Sequence, residues 1–484
     1  MQLECGVARR NFFFVLLALW IFLPVGALPQ TLDRAPVVTH QDLRFRVFPK
    51  EGRLKAEARV TVENRAGNAQ REIPLLLYRL FDVDAVTSAD GAPLEFRQLV
   101  VKLSDEKTMQ VNAAIVRLRA PLAPGAQTTF VVRYSGSLFG YSEVMAHVKD
   151  RVSEEYTLLR PDALVYPMVA RPSFTDLHAA YDAVFTYTLE VTAPAGYIAA
   201  SGGTLVSQRE AEGRATFLFH SRVPTWRVDV AVARFKLLKN EAAGLYVYAL
   251  PEDEAGAARA LKAMERVIKF YSGAFGPSRR GAGYTAIEIP DGWGSQAGDF
   301  YFLQTAAAFR DPERLSEMYH EIAHSWNARP RPEFKRARWF DEAFASYFED
   351  LAVRQFEGEK IFAERMERAR ESFRRAAQKD ARAAETPIAE YGKHELGRYS
   401  YTKGAWSLHV LHTLVGDAVF RRIIQEFLME FAERPAGFRD FQSVAQRVSG
   451  RDLSRFFNEW IFGAESSNLL LEGRSAEEIA ARYR

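Results

Sequence analysis

The sequence predicts an α+β protein in which a β-rich sandwich or curved sheet precedes a mainly helical region. Three observations carry that prediction. Apolar and polar residues alternate through much of the first half of the chain, turn signals recur about every ten residues there, and beyond residue 240 the apolar spacing lengthens to that of helices. With 484 residues the chain is too long for one ordinary core, so two or more folding units are expected. An apolar share of 48 % and a charged share of 26 % suit a folded protein. The net charge is only +3 and the basic residues are dispersed, which argues against a nucleic-acid footprint.

The first 27 residues read as a secretory signal. Arg9 and Arg10 precede twelve unbroken apolar residues, 12–23; Pro24 then breaks the run, and Val25, Gly26 and Ala27 supply the small residues a signal peptidase needs. Twelve residues fall short of the ~20 that span a bilayer. Cleavage after Ala27 is therefore expected, giving an exported, periplasmic or secreted protein; a membrane-anchored form would require the segment to stay uncleaved. The only cysteine is Cys5, ahead of this run, so the mature chain has neither disulfides nor a thiol nucleophile.

Residues 28–239 carry the β texture. Leu54, Ala56, Ala58, Val60 and Val62 alternate with polar residues, as do Phe185, Tyr187, Leu189 and Val191, and again Val228, Val230 and Val232. Residues 240–484 form the second region. It opens with an amphipathic helix over 255–275 and a short strand over 284–289, passes through a Gly-rich stretch, and is almost wholly helix-like from Pro312 onward.

Within that helical region His320, Glu321 and His324 form a His-Glu-x-x-His pattern. Residues four apart share a helix face, with Cβ atoms about 5–6 Å apart, so both imidazoles reach one divalent ion. Glu321, one step round the helix, is placed to take a proton from a water acidified by that ion. The pattern is short, and two packed histidines would show it as well. What adds weight is the second helix after Pro330 and Pro332, where Glu342 interrupts the apolar surroundings of Trp339, Phe340, Ala343 and Phe344. A carboxylate there is costly without a partner, and it would complete a His₂Glu zinc site with one position left for water. Glu349, two turns on, is the rival third ligand. His409 and His412 read as packed core histidines.

These residues resemble the M1 family of zinc aminopeptidases, within the gluzincin group. The match consists of His320-Glu321-Ile322-Ala323-His324, then Asp341-Glu342-Ala343-Phe344-Ala345, then Tyr401-Thr402-Lys403-Gly404. The resemblance implies a thermolysin-like catalytic domain at 240–484 behind an M1-like β domain, without the helical C-terminal domain of larger members. It implies one Zn²⁺, a peptide substrate, and Tyr401 as donor to the oxyanion, with Tyr399 the alternative. It also implies substrate binding along Gly294, Ser295, Gln296, Ala297 and Gly298. Ser325, Trp326 and Asn327 resemble the glycyl aminopeptidase family M61 as well; the β domain and the Tyr-x-Lys-Gly element favour M1.

Three departures stand out. The spacing from His324 to Glu342 is one residue shorter than usual, Ala343 replaces the usual Gly, and Ala297 falls where the family has the Glu that clasps a free α-amine. Asp299 would replace that Glu only after a backbone shift. The expectation is a zinc peptidase not strictly confined to free N-termini; the alternative is an inactive zinc-bearing protein of the same fold that binds peptides or partner proteins.

Overall fold

The computed structural model describes residues 35–278 and 283–484; the expected secretory segment, with Cys5 and Ala27, lies outside the described residues. A seven-stranded sheet begins the fold. Its spatial order is Thr204–Ala211, Arg214–His220, Thr186–Pro194, Val37–Phe48, Arg53–Glu63, Gln127–Ser137 and Phe81–Ser88. All neighbours are antiparallel except Val37–Phe48 and Thr186–Pro194, which run parallel. The period-two pattern read from the sequence is what buries one face: Leu54, Ala58, Val60 and Val62 of Arg53–Glu63 are fully inside. They share a core with Ile73 and Leu75 of a second, three-stranded sheet (Gln70–Tyr78, Gln110–Leu122 and Glu95–Lys102), which makes this part a sandwich. A smaller sheet of Ile198–Ser201, Val230–Ala233 and Thr157–Leu159 follows.

The change of texture near residue 240 falls inside a hairpin. Lys236–Asn240 pairs antiparallel with Leu245–Ala249, and this hairpin is one side of a mixed five-stranded sheet. Leu245–Ala249, Tyr284–Ile289 and Tyr301–Thr305 are parallel, and Gln296–Gly298 closes the sheet as an antiparallel edge strand. The helix Glu254–Phe275 crosses between the first two parallel strands, as parallel pairing demands. Tyr284–Ile289 is buried at every position, Thr285 and Glu288 included, as expected of a parallel strand covered on both faces.

From Ala35 to Arg484 the chain is one compact unit. Buried polar bonds join its two halves: Tyr156 donates to Glu288 O at 2.6 Å, Tyr301 to Asp229 at 2.7 Å, and Arg160 to Trp293 O at 3.0 Å. The remainder is helical. Ser316–Ala323 packs against Glu254–Phe275 and Phe344–Glu357, and the latter against Glu359–Lys379 and Lys403–Val415. No helix among the described residues is long and apolar enough to cross a membrane.

Candidate metal centre

The helix Ser316–Ala323 is fixed from behind. Met318, Tyr319, Ile322 and Ala323 are buried, Tyr271 donates to Tyr319 O at 3.1 Å, and Arg266 donates to the Tyr319 hydroxyl at 2.9 Å. That leaves His320, Glu321 and His324 on the partly exposed face. His324 ends the helix and begins a tight turn, His324–Trp326, anchored where Trp326 Nε1 donates to Gly276 O at 2.9 Å.

Glu342 does not sit on a regular helix. Trp339–Ala343 forms a wide π turn that leads into Phe344–Glu357, the kind of widened turn often found at functional sites. Trp339 holds the turn by donating to Ser407 Oγ at 2.9 Å. Gly404 makes the close approach possible, since a Cβ there would lie 2.8 Å from Ala343 Cβ. So placed, Glu342 is 3 % exposed, and its Oε2 lies 3.1 Å from His320 Nε2 and 3.8 Å from His324 Nε2. The donor atoms of His320, His324 and Glu342 all lie within 4.8 Å of one another and could share one ion.

Carboxylates occupy the outer ring nitrogens. His320 Nδ1 is 3.3 Å from Glu349 Oε2, and His324 Nδ1 is 2.9 Å from Asp341 Oδ1. Arg365 holds Glu349 and Asp350. Arg338 donates through Nη2 to Asp341 at 2.9 Å and to Glu342. Glu349 is therefore an orienting partner of His320 and not part of the converging triad, because its oxygen meets the ring at the nitrogen turned away from Glu342.

Burial pulls the His320 ring toward neutrality, but its bonds to Glu342 and Glu349 outweigh this and hold its pKa well above the imidazole range. His324 is raised too, burial being overcome by Asp341. Burial and the repulsion of Asp341 oppose the charge on Glu342, yet His320, His324 and Arg338 keep its pKa low. Glu321 goes the other way: burial raises it, and the neighbouring imidazoles offset this only in part. A group of histidines and a low-pKa carboxylate this close together is a cation site in its chemistry.

Tyr401 stacks on His320, with ring centroids 5.8 Å apart and planes 10° from parallel. Burial and the Glu342 charge raise its hydroxyl pKa, so it stays a protonated donor. Tyr399 is buried instead and accepts a bond from Arg398 at 2.9 Å. The edge strand Gln296–Gly298 contains Ala297, and Asp299 lines a small cavity with Tyr187, Arg222 and Phe300. Behind the strand, Ser295 Oγ accepts from Gln304 at 3.2 Å, and Gln304 also donates to Glu317 at 3.1 Å. The roles of Asp341, Arg338 and Arg365 are not read from the sequence; Asp341 next to Glu342 was the one available hint, and the two arginines left none.

Residues 304–460 match the peptidase family M1 domain. That match spans about a third of the chain and contains His320, Glu321, His324, Glu342 and Tyr401. A probable aminopeptidase 1 of Sulfurisphaera tokodaii is 23 % identical over 427 residues, covering 78 % of this chain and 52 % of that relative. The leucyl aminopeptidase of Saccharolobus solfataricus is 23 % identical, covering 59 % of this chain and 38 % of its own length. Human glutamyl aminopeptidase is 23 % identical, covering 57 % and 31 %. The chain thus spans about half, or less, of the length of these relatives. The M1 zinc metallopeptidase from Deinococcus radiodurans has the same fold, with a TM-score of 0.63 at 20 % identity over 92 % of this chain and 95 % of that one. A variant of that enzyme bound to a Tyr-Ser-Ala substrate gives 0.64 at 20 % identity, over 89 % and 94 %. The donors fit a zinc ion: two imidazole nitrogens and a buried carboxylate, with both outer ring nitrogens on carboxylates.

Proposed function

We propose that this chain is a zinc peptidase that hydrolyses peptide bonds of oligopeptides, with His320, His324 and Glu342 as the metal ligands, Glu321 as general base and Tyr401 as oxyanion donor. The convergence of the three donor atoms, with Glu321 on the same helix face, is the observation that carries the reading. Zinc, when bound, supplies a Lewis acid that polarises the scissile carbonyl and acidifies water. Glu321 takes a proton from the attacking water onto its carboxylate and later gives it to the leaving amine nitrogen. Its raised pKa supports both transfers, since a base poised nearer neutrality also releases its proton readily. The Tyr401 hydroxyl donates a hydrogen bond to the carbonyl oxygen as it gains negative charge. Residues 294–298 line the peptide, and Gln296–Gly298 is the edge strand of its sheet, the place where an extended peptide adds as a further strand.

Two finer points belong to the same reading. Ala297 cannot hold an ammonium, so peptides with a blocked N-terminus are substrates too. Export to the periplasm or medium is supported by Arg9 and Arg10, the apolar run 12–23 and the small residues at 25–27.

Glu321→Gln tests the core of the proposal. Zinc content stays at one equivalent while turnover of a peptide panel falls by about 10²–10⁴. Full turnover in that variant would remove the general base, and loss of all activity on N-acetylated peptides in the parent would restore strict N-terminal restriction.

A further inference from the structure

Arg338 is spent unevenly. Its backbone lies in the left-handed region at φ 58°, a conformation that is unfavourable for a non-glycine residue. A glycine would relieve that cost, so the side chain must contribute something at this position. One nitrogen, Nη2, serves both Asp341 and Glu342. The Nε and Nη1 donors make no hydrogen bond among the described residues, and the side chain is 46 % exposed. An arginine acting only as a structural counter-ion would turn its two-pronged edge onto the carboxylates it neutralises. Here Nη2 alone meets them, and the Nε and Nη1 donors are left over.

These donors are also well situated. Arg338 bonds directly to Glu342, whose other oxygen faces His320, and the Tyr401 hydroxyl feels both groups. It is therefore an open cation at the lip of the site where the peptide carbonyl must lie. The strand Gln296–Gly298, which has no acidic side chain, offers no competing carboxylate.

We infer that Arg338 is a specificity-determining residue that binds a carboxylate carried by the peptide close to the scissile bond. This rests on the peptidase reading above. The carboxylate has two possible sources, the C-terminal α-carboxylate of a short peptide or an Asp or Glu side chain.

The test is binding by the full chain carrying Glu321→Gln and loaded with zinc, measured by titration calorimetry on two matched peptide pairs. One pair differs as C-terminal acid against C-terminal amide, the other as Glu against Gln beside the scissile bond. Zinc content is measured for every variant, because Arg338 also touches Glu342; peptides are then compared only within one variant. The carboxylate member of at least one pair binds about tenfold or more tightly, as a charge-assisted bond requires. Preference in the first pair assigns the α-carboxylate and preference in the second assigns the side chain. Arg338→Met abolishes the preference and Arg338→Lys retains part of it. Equal affinities within both pairs, or a preference undiminished in Arg338→Met, overturn the inference. Absence of turnover of all four peptides by the parent enzyme would count against the peptidase reading instead, leaving the binding result to decide this one.

Discussion

His320 Nδ1 stands 3.3 Å from Glu349 Oε2, while Nε2 of the same ring faces Glu342 at 3.1 Å. The two contacts divide the ring's work. A carboxylate on Nδ1 keeps the proton there, which leaves the Nε2 lone pair for the ion and makes that nitrogen more basic. Arg365 fixes Glu349 in turn, so the orientation of His320 is set by a helix two turns beyond Glu342 and by the helix after it.

Removing that support weakens the metal site without removing a ligand. Glu349→Ala lowers zinc affinity by about 10–100-fold, measured by competition with a chromogenic chelator. Circular dichroism of the variant stays that of the parent, because Asp350 still pairs with Arg365. Unchanged zinc affinity would mean that the ring is held by packing alone.

The two tyrosines of the 397–401 turn separate cleanly. Tyr401 stacks on His320 and is 40 % exposed, whereas Tyr399 is 6 % exposed and bonded to Arg398. Tyr401→Phe reduces kcat by about 10²–10³ with KM and zinc content little changed, the pattern of a donor that acts only on the charge formed in the transition state. Tyr399→Phe leaves kcat within about twofold, since surface-distant hydroxyl losses act mainly on stability. Steady-state kinetics on one peptide decides both, and the reverse ranking would move the donor role to Tyr399.

How much of this was legible in the sequence follows from the range of each interaction. The closeness of His320 and His324 could be read because residues four apart on one helix are neighbours whatever surrounds them. The sandwich could be read because alternation along Arg53–Glu63 states directly which face is buried. The approach of Glu342 was inferred from a charge among apolar residues, but its π turn was not, since that shape depends on Trp339 reaching Ser407 and on Gly404 standing against Ala343. Arg338 was hidden for a different reason. Nothing local marks an arginine as left-handed, and its partners three and four residues on look like ordinary helix-face pairs. The hairpin of Lys236–Asn240 and Leu245–Ala249 likewise joins the catalytic half through pairing partners that only the fold supplies.

Lys403, two residues after Tyr401, gives the pH-dependent prediction. It is fully buried, its Nζ has no hydrogen-bond partner, and the nitrogen lies 5.8 Å over the Tyr391 ring. Burial brings its pKa down from 10.5 to about 7, and the charge of Glu465 opposes this only weakly. The unfolded chain keeps the ordinary lysine value. Below about pH 7 both states carry the proton and the fold bears the whole penalty of a buried ammonium; between about 7 and 10.5 the unfolded state binds more protons, so stability attributable to this residue rises with pH. Lys403→Met removes the titrating group and keeps its length. The variant is therefore more stable than the parent at about pH 6, by up to several kcal/mol, and the gap closes as pH approaches about 10. Urea denaturation of the pair across that range checks it. A gap that stays constant with pH would show that the amine is not neutral at high pH in the fold, and a variant less stable at every pH would mean that the ammonium contributes favourably through the Tyr391 face.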